Sequence, residues 1–304
     1  MSPQIYYKEP VFRPPSEARS LLIQATEGCT YRCSFCVSNL GKPFKIRKIE
    51  EIKRDLDTAK NLYGSVRRVF FLDGNAMVMP FDQLFEITSY AYRVFSPVLE
   101  RVSVYAHGKD ILSKNDEELK ELQKVGLRMV YIGIETGDNA LLRKIGKRET
   151  RDDIISAFHK CFKAGITPSG TIILGLAGSD PDASKEHAIN TADLINRVNP
   201  VESNFPIWYV ATLTLMIPPG TPLFYDTQNG YFLPMNSDQI LEELKLLIEN
   251  TSDRLQNCVF RSNHASNYLA IKGILAQDKE KILEKIERNL LDHRDLRPEF
   301  YRAL

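Results

Sequence analysis

Residues 28–36 read GCTYRCSFC and place Cys29, Cys33 and Cys36 within eight consecutive positions. The spacing is C-x3-C-x2-C, and the segment follows an apolar run that is typical of a buried strand. Thiolates are the usual ligands of iron–sulfur clusters, and a [4Fe–4S] cube has four irons to bind. Three thiolates on one loop can therefore hold three irons and leave the fourth open to a substrate or cofactor.

A structural zinc site is the second interpretation of the same cysteines. Such a site needs four ligands, commonly arranged as two pairs of Cys or His. The two other cysteines form no pair, because Cys161 lies in a segment with helical spacing and Cys258 is far along the chain. Five cysteines with three of them clustered are also a poor disulfide framework. The iron–sulfur interpretation is favoured.

The composition gives no electrostatic argument for a nucleic-acid or membrane partner. Of the 304 residues, 43% are hydrophobic and 26% are charged, and the net charge is only +1. No apolar run approaches the roughly 20 residues that span a bilayer. Residues 1–15 have neither an apolar signal core nor an Arg-rich amphipathic pattern. We therefore expect a cytoplasmic protein, whose oligomeric state the sequence does not predict.

Around the cysteine segment the chain alternates between short β-rich runs and amphipathic helical stretches. The predicted strands are residues 20–26, 66–72, 101–106, 129–134, 170–176 and 208–215. The predicted helices are residues 49–62, 81–95, 117–125, 150–164 and 183–198, with a mostly helical tail from about residue 237. Six β-then-α units predict an α/β fold with a parallel sheet covered by helices. A partial (β/α)6 TIM-like barrel and a doubly wound sheet both fit, and both place chemistry at the carboxyl ends of the strands.

A proline-rich segment after the sixth predicted strand marks the one expected boundary. Residues 218–220 read PPG. We expect a core domain over residues 1–217 and a mostly helical C-terminal extension over residues 218–304, packed on the core.

The cysteine segment resembles the motif of the radical S-adenosylmethionine (SAM) superfamily. The spacing of the cysteines, the aromatic Phe35 before the last of them and the position after the first strand all match. The general likeness is to the core shared by oxygen-independent coproporphyrinogen oxidases, Elongator-like proteins and methylthiotransferases. The resemblance implies a partial (β/α)6 TIM-like barrel that holds a [4Fe–4S] cluster on Cys29, Cys33 and Cys36. It also implies that SAM chelates the open iron and that Phe35 belongs to the cofactor site.

The resemblance also implies a reaction. An electron from the reduced cluster cleaves SAM to methionine and a 5′-deoxyadenosyl radical, which abstracts hydrogen from an organic substrate. A reduced ferredoxin or flavodoxin would supply the electron. The sequence predicts neither the substrate nor the reaction subclass. A non-catalytic iron–sulfur or porphyrin- or haem-binding protein on the same fold is the alternative.

Candidate cofactor residues follow the second and third predicted strands. Asp73, Gly74 and Asn75 stand where the resemblance implies a turn that receives the SAM amino group. Glycine allows a close backbone approach, and side-chain oxygens can accept from an ammonium group. Tyr105 stands where the coproporphyrinogen oxidase branch has Glu, and it is a candidate for lining the pocket. His107 is a candidate for contacting SAM or the substrate.

Further candidates follow the fourth and fifth predicted strands. Glu135 resembles the family position that contacts SAM. Lys147, with Arg148 as second choice, resembles the basic residue for the SAM carboxylate, which gains from a charged donor in a pocket of low dielectric. Thr171 is expected near the ribose, and Gly175 would let the adenine lie close to the backbone. The alternative for Lys147 and Arg148 is that they lie on a solvated, charged helix face and do not contact SAM.

Two residues of the extension are substrate candidates. Arg261 and His264 could bind an anionic substrate. The alternative is that Ser262 or Asn263 caps a following helix and that Tyr268 and Leu269 pack in the core.

Overall fold

A computed structural model describes residues 4–200 and 207–303 of the chain. These residues form two compact units. The first unit contains residues 4–32, 38–132 and 157–168. The second contains residues 33–37, 133–156, 169–200 and 207–303.

Strands and helices alternate along most of the described chain. The strands are β1 (Leu21–Gln24), β2 (Thr26–Glu27), β3 (Lys45–Ile46), β4 (Arg68–Leu72), β5 (Arg101–Ala106), β6 (Leu127–Glu135), β7 (Thr167–Leu174), β8 (Trp208–Thr214), β9 (Cys258–Arg261) and β10 (Lys272–Ile274). The helices are α1 (Ile49–Tyr63), α2 (Phe81–Phe95), α3 (Gly108–Leu112), α4 (Asp116–Lys124), α5 (Asn139–Lys144), α6 (Arg151–Ala164), α7 (Pro181–Val198), α8 (Pro222–Gln228), α9 (Ser237–Glu249) and α10 (Lys279–Asp292).

The first unit is built on parallel strands in the order β1, β4, β5, β6. Ile23 pairs with Phe71, Phe71 with Val104 and Val104 with Val130. All four side chains are fully buried, which is usual for a parallel sheet covered on both faces. Helices α1 and α2 pack against each other in this unit, and β2 pairs antiparallel with β3.

The second unit has parallel strands in the order β7, β8, β9, with β10 antiparallel to β9 at the end. Trp208 on β8 and Phe260 on β9 are fully buried and pair with neighbouring strands. Helix α9 packs against both α7 and α10. Apolar residues at Ile240, Leu244 and Leu247 form the buried stripe of α9, as the helical period requires.

The predicted α/β class with a mostly parallel sheet is confirmed. Strands β1, β4, β5, β6, β7 and β8 correspond to the six predicted strands with small changes at their ends. The extension is helical in α8, α9 and α10, but it also contributes β9 and β10, which the sequence did not predict. These strands have only four and three residues, too few to show an alternating pattern.

The boundary predicted after residue 217 stays a prediction. The second unit contains described residues on both sides of it. The terminal residues 1 and 304 of the two predicted domains lie outside the described residues. Of the helices that the structure describes, none is long and apolar enough to cross a membrane.

Candidate functional site

Cys29 lies on the loop after β2 in the first unit, and its side chain is buried. The residue is 7% exposed. Its Sγ accepts a hydrogen bond from the backbone N–H of Tyr31 at 3.4 Å and lies 3.1 Å from Nε2 of His107. The rings of Tyr31 and His107 stack, with centroids 3.8 Å apart and planes 11° from parallel. The sulfur is therefore held beside two stacked rings and a backbone donor.

Gly74 lets the turn after β4 approach this cysteine loop closely. A Cβ on Gly74 would lie 2.6 Å from the carbonyl oxygen of Gly28 and 2.8 Å from Cβ of Cys29. Real Cβ atoms do not approach other heavy atoms so closely, so a larger residue would displace one of the two loops. From the sequence we expect glycine at position 74 to let SAM approach the backbone closely. In the structure, the group that approaches Gly74 closely is the cysteine loop.

The carboxylate of Asp73 is engaged within the protein. Its Oδ2 accepts from Nζ of Lys42 at 2.9 Å and from Nε2 of Gln24 at 3.3 Å. Its Oδ1 accepts the N–H of Gly74 at 2.9 Å. Both charged side chains are almost fully buried. These contacts hold the turn in place, and a contact between Asp73 and SAM stays a prediction.

Asn75 is fully buried beside the same loop. Its Nδ2 donates to the carboxylate of Asp110 and lies 3.4 Å from Oγ1 of Thr30. Across the described part of the chain, no donor makes a hydrogen bond to Oδ1 of Asn75. A buried acceptor without a donor is costly, so this oxygen is suited to a ligand that carries N–H groups.

Tyr105, at the end of β5, is half-buried in an aromatic group. Its ring meets the edge of Phe70 at 5.0 Å and that of Tyr131 at 6.1 Å between centroids. Packing accounts for these contacts, and a role of Tyr105 in lining a cofactor pocket stays a prediction.

Cys33 and Cys36 lie on a short loop of the second unit that is fixed by backbone hydrogen bonds. The N–H of Cys36 donates to the carbonyl of Cys33 at 3.0 Å. Ser34 donates its N–H to the carbonyl of Ile145 at 2.8 Å and accepts from the N–H of Leu223 at 3.0 Å. Both cysteines are partly exposed.

Phe35 anchors this loop in an apolar cluster. Its ring packs against the side chains of Leu141, Ile145, Ile173 and Leu176. Leu213 and Leu215 of the β8 region pack against the same cluster. The position of Phe35 between the two cysteines therefore fixes the loop by packing, and a contact with SAM stays a prediction.

Lys147 is a buried cation among acidic groups of the second unit. Its side chain is 0% exposed, and Nζ lies 3.1 Å from Oε1 of Glu135 and 3.3 Å from Oε1 of Glu149. Nζ also donates to the carbonyl of Gly133. Burial alone would lower the pKa of Lys147, but the charges of Glu135, Glu149 and the Cys33 thiolate outweigh it and raise the pKa above its ordinary value. Lys147 therefore stays charged.

Glu135 ends β6 with φ of 61°, in the left-handed region that non-glycine residues seldom adopt. Such strain persists where the surroundings fix it, and it is frequent at functional sites. Two residues predicted separately as SAM contacts, Glu135 and Lys147, thus bind each other. Arg148, the second choice, is exposed.

Gly175 follows β7 with φ of +79°. Its N–H donates to Oε1 of Glu243 at 2.7 Å, and a Cβ there would lie 2.7 Å from Cδ1 of Ile240. Packing of α9 thus explains the need for glycine. Thr171 is half-buried on β7 and pairs with Ala211 of β8. The adenine and ribose contacts of these two residues stay predictions.

A buried network around Glu243 was missed by the sequence analysis. Besides Gly175, Glu243 accepts from Oγ of Ser184 at 2.6 Å and lies 3.6 Å from Nε2 of His187. Nδ1 of His187 lies 2.7 Å from Oγ1 of Thr136, the residue after Glu135. The signal available in the sequence was an acidic residue on the apolar face of α9, three residues after Ile240.

The structure gives Arg261 and His264 local contacts. Nη1 of Arg261 donates to the carbonyl of Phe260 at 3.0 Å. Nδ1 of His264 accepts the N–H of Ser266 at 3.1 Å, and burial together with Arg297 lowers the pKa of His264. Substrate binding by either residue stays a prediction.

The helix-capping part of the alternative for Ser262 and Asn263 is wrong, whereas the core packing of Tyr268 and Leu269 is confirmed because both are buried. The residues after β9 form a loop that leads into β10, and no helix begins there. Ser262 instead exchanges backbone hydrogen bonds with Ile271 in that hairpin.

The two cysteines outside the motif are buried thiols. Burial raises the pKa of Cys161 to about 12 and also raises the pKa of Cys258. Thiolates, not thiols, bind metals, so these two residues are poor ligands. Within residues 4–200 and 207–303, no three His, Cys, Asp or Glu side chains surround a point where a single metal ion could bind.

Comparison with known proteins identifies the class. Residues 23–188, more than half of the chain, match the family model of the radical SAM superfamily. The chain belongs to this superfamily of enzymes, whose cofactors are a [4Fe–4S] cluster and SAM, as the cysteine motif predicted.

Two curated relatives and one solved structure illustrate the similarity. A Pyrococcus horikoshii protein named "uncharacterized methyltransferase" is 25% identical over 89% of this chain and 56% of its own length. The heme chaperone HemW of Bacillus subtilis is 26% identical over 54% of this chain and 44% of its own. Coproporphyrinogen III oxidase from Escherichia coli, a radical SAM enzyme, aligns with a TM-score of 0.54 and 16% identity over 76% of this chain and 53% of its own.

The structural likeness confirms the predicted fold class, a partial (β/α)6 TIM-like barrel with a mostly helical extension. The chain spans about half the length of the curated relatives that it matches.

Proposed function

We propose that this chain cleaves SAM reductively at a [4Fe–4S] cluster bound by Cys29, Cys33 and Cys36. When bound, the cluster and SAM supply an electron and a 5′-deoxyadenosyl radical that abstracts hydrogen from an organic substrate. The observation that carries this proposal is the family match over residues 23–188, which contain all three cysteines at the motif spacing.

The surroundings of the cysteines support their role as ligands. The backbone N–H of Tyr31 donates to Sγ of Cys29, and such hydrogen bonds stabilise a thiolate. The charge of Cys33 interacts with that of the buried Lys147 and contributes to the raised pKa of Lys147. These contacts support the proposed role of Cys29 and Cys33 as ligands of the cluster.

Asn75 supports the proposed binding of the SAM amino group. Its buried Oδ1 lacks a donor among the described residues and can accept from an ammonium group. Since Asp73 is already paired with Lys42, we assign the amino group to Asn75 rather than to Asp73. Gly74 keeps this turn against the Cys29 loop.

We assign the SAM carboxylate to Lys147, with Glu135 as its neighbour. Lys147 keeps its charge in a buried position, and a charged donor suits a carboxylate. Its Nζ already contacts Glu135, Glu149 and the carbonyl of Gly133, so SAM would have to replace one of these acceptors. Four further residues are proposed for the cofactor site because of where they stand in the family's pattern: Phe35, Tyr105, Thr171 and Gly175.

The substrate is proposed only as an organic molecule. The relatives are named as an uncharacterized methyltransferase and a heme chaperone, so their names indicate no single reaction. Arg261 and His264 are the proposed contacts for an anionic substrate. A reduced ferredoxin or flavodoxin is the proposed electron donor, and the proposed location is the cytoplasm.

Anaerobic reconstitution tests the proposal. The chain is loaded with iron and sulfide, then given SAM and dithionite, and 5′-deoxyadenosine is measured by mass spectrometry. We expect a brown protein whose visible absorption bleaches on reduction and which forms 5′-deoxyadenosine. A variant with Cys29, Cys33 and Cys36 all changed to Ser is the matched control and should form none. A fully loaded protein that leaves SAM intact would contradict the proposal.

Haem binding without SAM cleavage is the second candidate, and the similarity to the heme chaperone supports it. That similarity covers only 54% of this chain, against 89% for the methyltransferase-named relative, so we rank it second. A haem titration with and without SAM separates the two. Tight haem binding that ignores SAM, with no 5′-deoxyadenosine formed, would favour the chaperone function.

A further inference from the structure

We infer that His107 is a positioning residue for the cluster: its Nε2–H donates a hydrogen bond to the Cys29 thiolate and so raises the cluster's reduction potential. This inference rests on the proposed function, since it requires Cys29 to bind iron. It starts from one contact, the 3.1 Å separation between Nε2 of His107 and Sγ of Cys29. No such role follows from the cysteine motif, because His107 is 78 residues from Cys29 in sequence.

The backbone of His107 and its imidazole ring are each held by contacts of their own. His107 is the residue just before α3, and its carbonyl accepts the N–H groups of Asp110 and Ile111 at 3.2 and 3.3 Å. The ring lies flat against Tyr31 at 3.8 Å. Backbone and ring contacts together aim Nε2 at the sulfur without depending on the sulfur itself.

The contact is also shielded from water. His107 is 8% exposed and Cys29 is 7% exposed. A hydrogen bond is electrostatically stronger in such surroundings than in water. A thiolate has no proton to offer, so Nε2 must carry the proton in this pair.

A donor in this position stabilises the reduced cluster more than the oxidised one. The added electron increases the negative charge on the cluster and its sulfur ligands, and hydrogen bonds to those sulfurs are among the factors that set the potential. Partners of metal ligands also orient those ligands and tune the metal. Loss of the donor should therefore make the cluster harder to reduce.

The test is a redox titration of the reconstituted chain, followed by the electron paramagnetic resonance signal of the reduced cluster. His107→Phe keeps a ring for the stack on Tyr31 and removes the donor, while His107→Gln keeps an N–H donor. We expect the Phe variant to have about a tenfold lower ratio of reduced to oxidised cluster at a fixed potential, which is ~59 mV for one electron. The reduction potential of the Gln variant should lie closer to that of the wild type. His159→Gln, at an exposed position of α6, is the matched control and should leave the reduction potential unchanged.

A second measurement uses the wild type and does not depend on how a variant folds. With ¹⁵N-labelled histidine, pulsed electron paramagnetic resonance of the reduced cluster should show a weak ¹⁵N coupling. A strong coupling, as for a histidine bound to iron, would overturn the inference, and so would no coupling or an unshifted potential in the Phe variant. If the wild type forms a cluster and cleaves SAM but shows these results, only the role of His107 fails. If it forms no cluster, the proposed function fails.

Discussion

At the scale of single residues, Lys147 is a buried cation whose ion pairs stabilise the fold. It is paired with Glu135 and Glu149, and all three side chains have little or no exposure. Lys147→Met would leave two buried carboxylates without their cation, and removal of one partner from a buried pair costs about 3–5 kcal/mol. We expect the free energy of unfolding in urea to fall by that amount.

The control for this prediction is Lys144→Met, at an exposed position at the end of α5. It should change the free energy of unfolding by less than about 0.5 kcal/mol, as surface substitutions usually do. If the two variants had the same free energy of unfolding, the ion pairs of Lys147 would not contribute to stability.

Gly74 is the residue on which the shape of the Cys29 loop depends. Gly74→Ala would place a methyl group 2.8 Å from Cβ of Cys29, so the cysteine loop must move. We expect iron bound per chain after reconstitution to fall at least several-fold, measured by iron and sulfide analysis.

Gly64→Ala separates this effect from general instability. Gly64 follows α1 with φ of +68°, and a Cβ there would meet no atom within 4 Å. The substitution should cost stability through its backbone strain but leave the iron content unchanged. Equal iron loss in both variants would argue against a specific role of Gly74.

At the scale of elements, the carboxylate of Glu243 links α9 to the loop after β7. Glu243→Leu would leave the buried N–H of Gly175 without an acceptor, at about 1–3 kcal/mol, and would remove the acceptor of the part-buried Ser184 hydroxyl. Glu242→Leu, one residue earlier and exposed, is the control. We expect a lower unfolding midpoint in urea and faster hydrogen exchange near Gly175 in the first variant alone. Unchanged exchange there would contradict the role given to α9.

Much of this fold was predictable from the sequence because its signals are local. Residues 101–106 form β5 at the predicted bounds, since a short apolar run between charged segments leaves few alternatives. Strands β9 and β10 were not predictable, because pairing with β8 and with each other, rather than their own pattern, defines them.

The candidate site was predictable only in part. The cysteine motif and Glu135 with Lys147 are readable as patterns near strand ends. The contact of His107 with Cys29 and the network of Glu243 join residues that are 78 and 68 positions apart, and only the folded chain shows such pairs.

At the scale of the whole molecule, ligand binding should appear as thermal stability. A ligand that binds only the folded state stabilises it by mass action, by about 2.7 kcal/mol at 100 times its dissociation constant. We expect SAM at that excess to raise the melting temperature of the cluster-loaded chain by several degrees. The variant with all three motif cysteines changed to Ser should show no rise. A rise in both proteins would mean that SAM binds without the cluster.

The enclosure of Cys29 has a consequence for chemical modification of the apoprotein. Cys29 is buried beside His107, whereas Cys33 and Cys36 are partly exposed. Iodoacetamide should therefore alkylate the latter two thiols first and Cys29 last. Trypsin cuts after Arg32 and separates Cys29 from the other two, so peptide masses report the order directly. Exposure to air should oxidise the three thiols in the same order, so Cys29 would be the last of them to lose its capacity to bind iron in the proposed cluster.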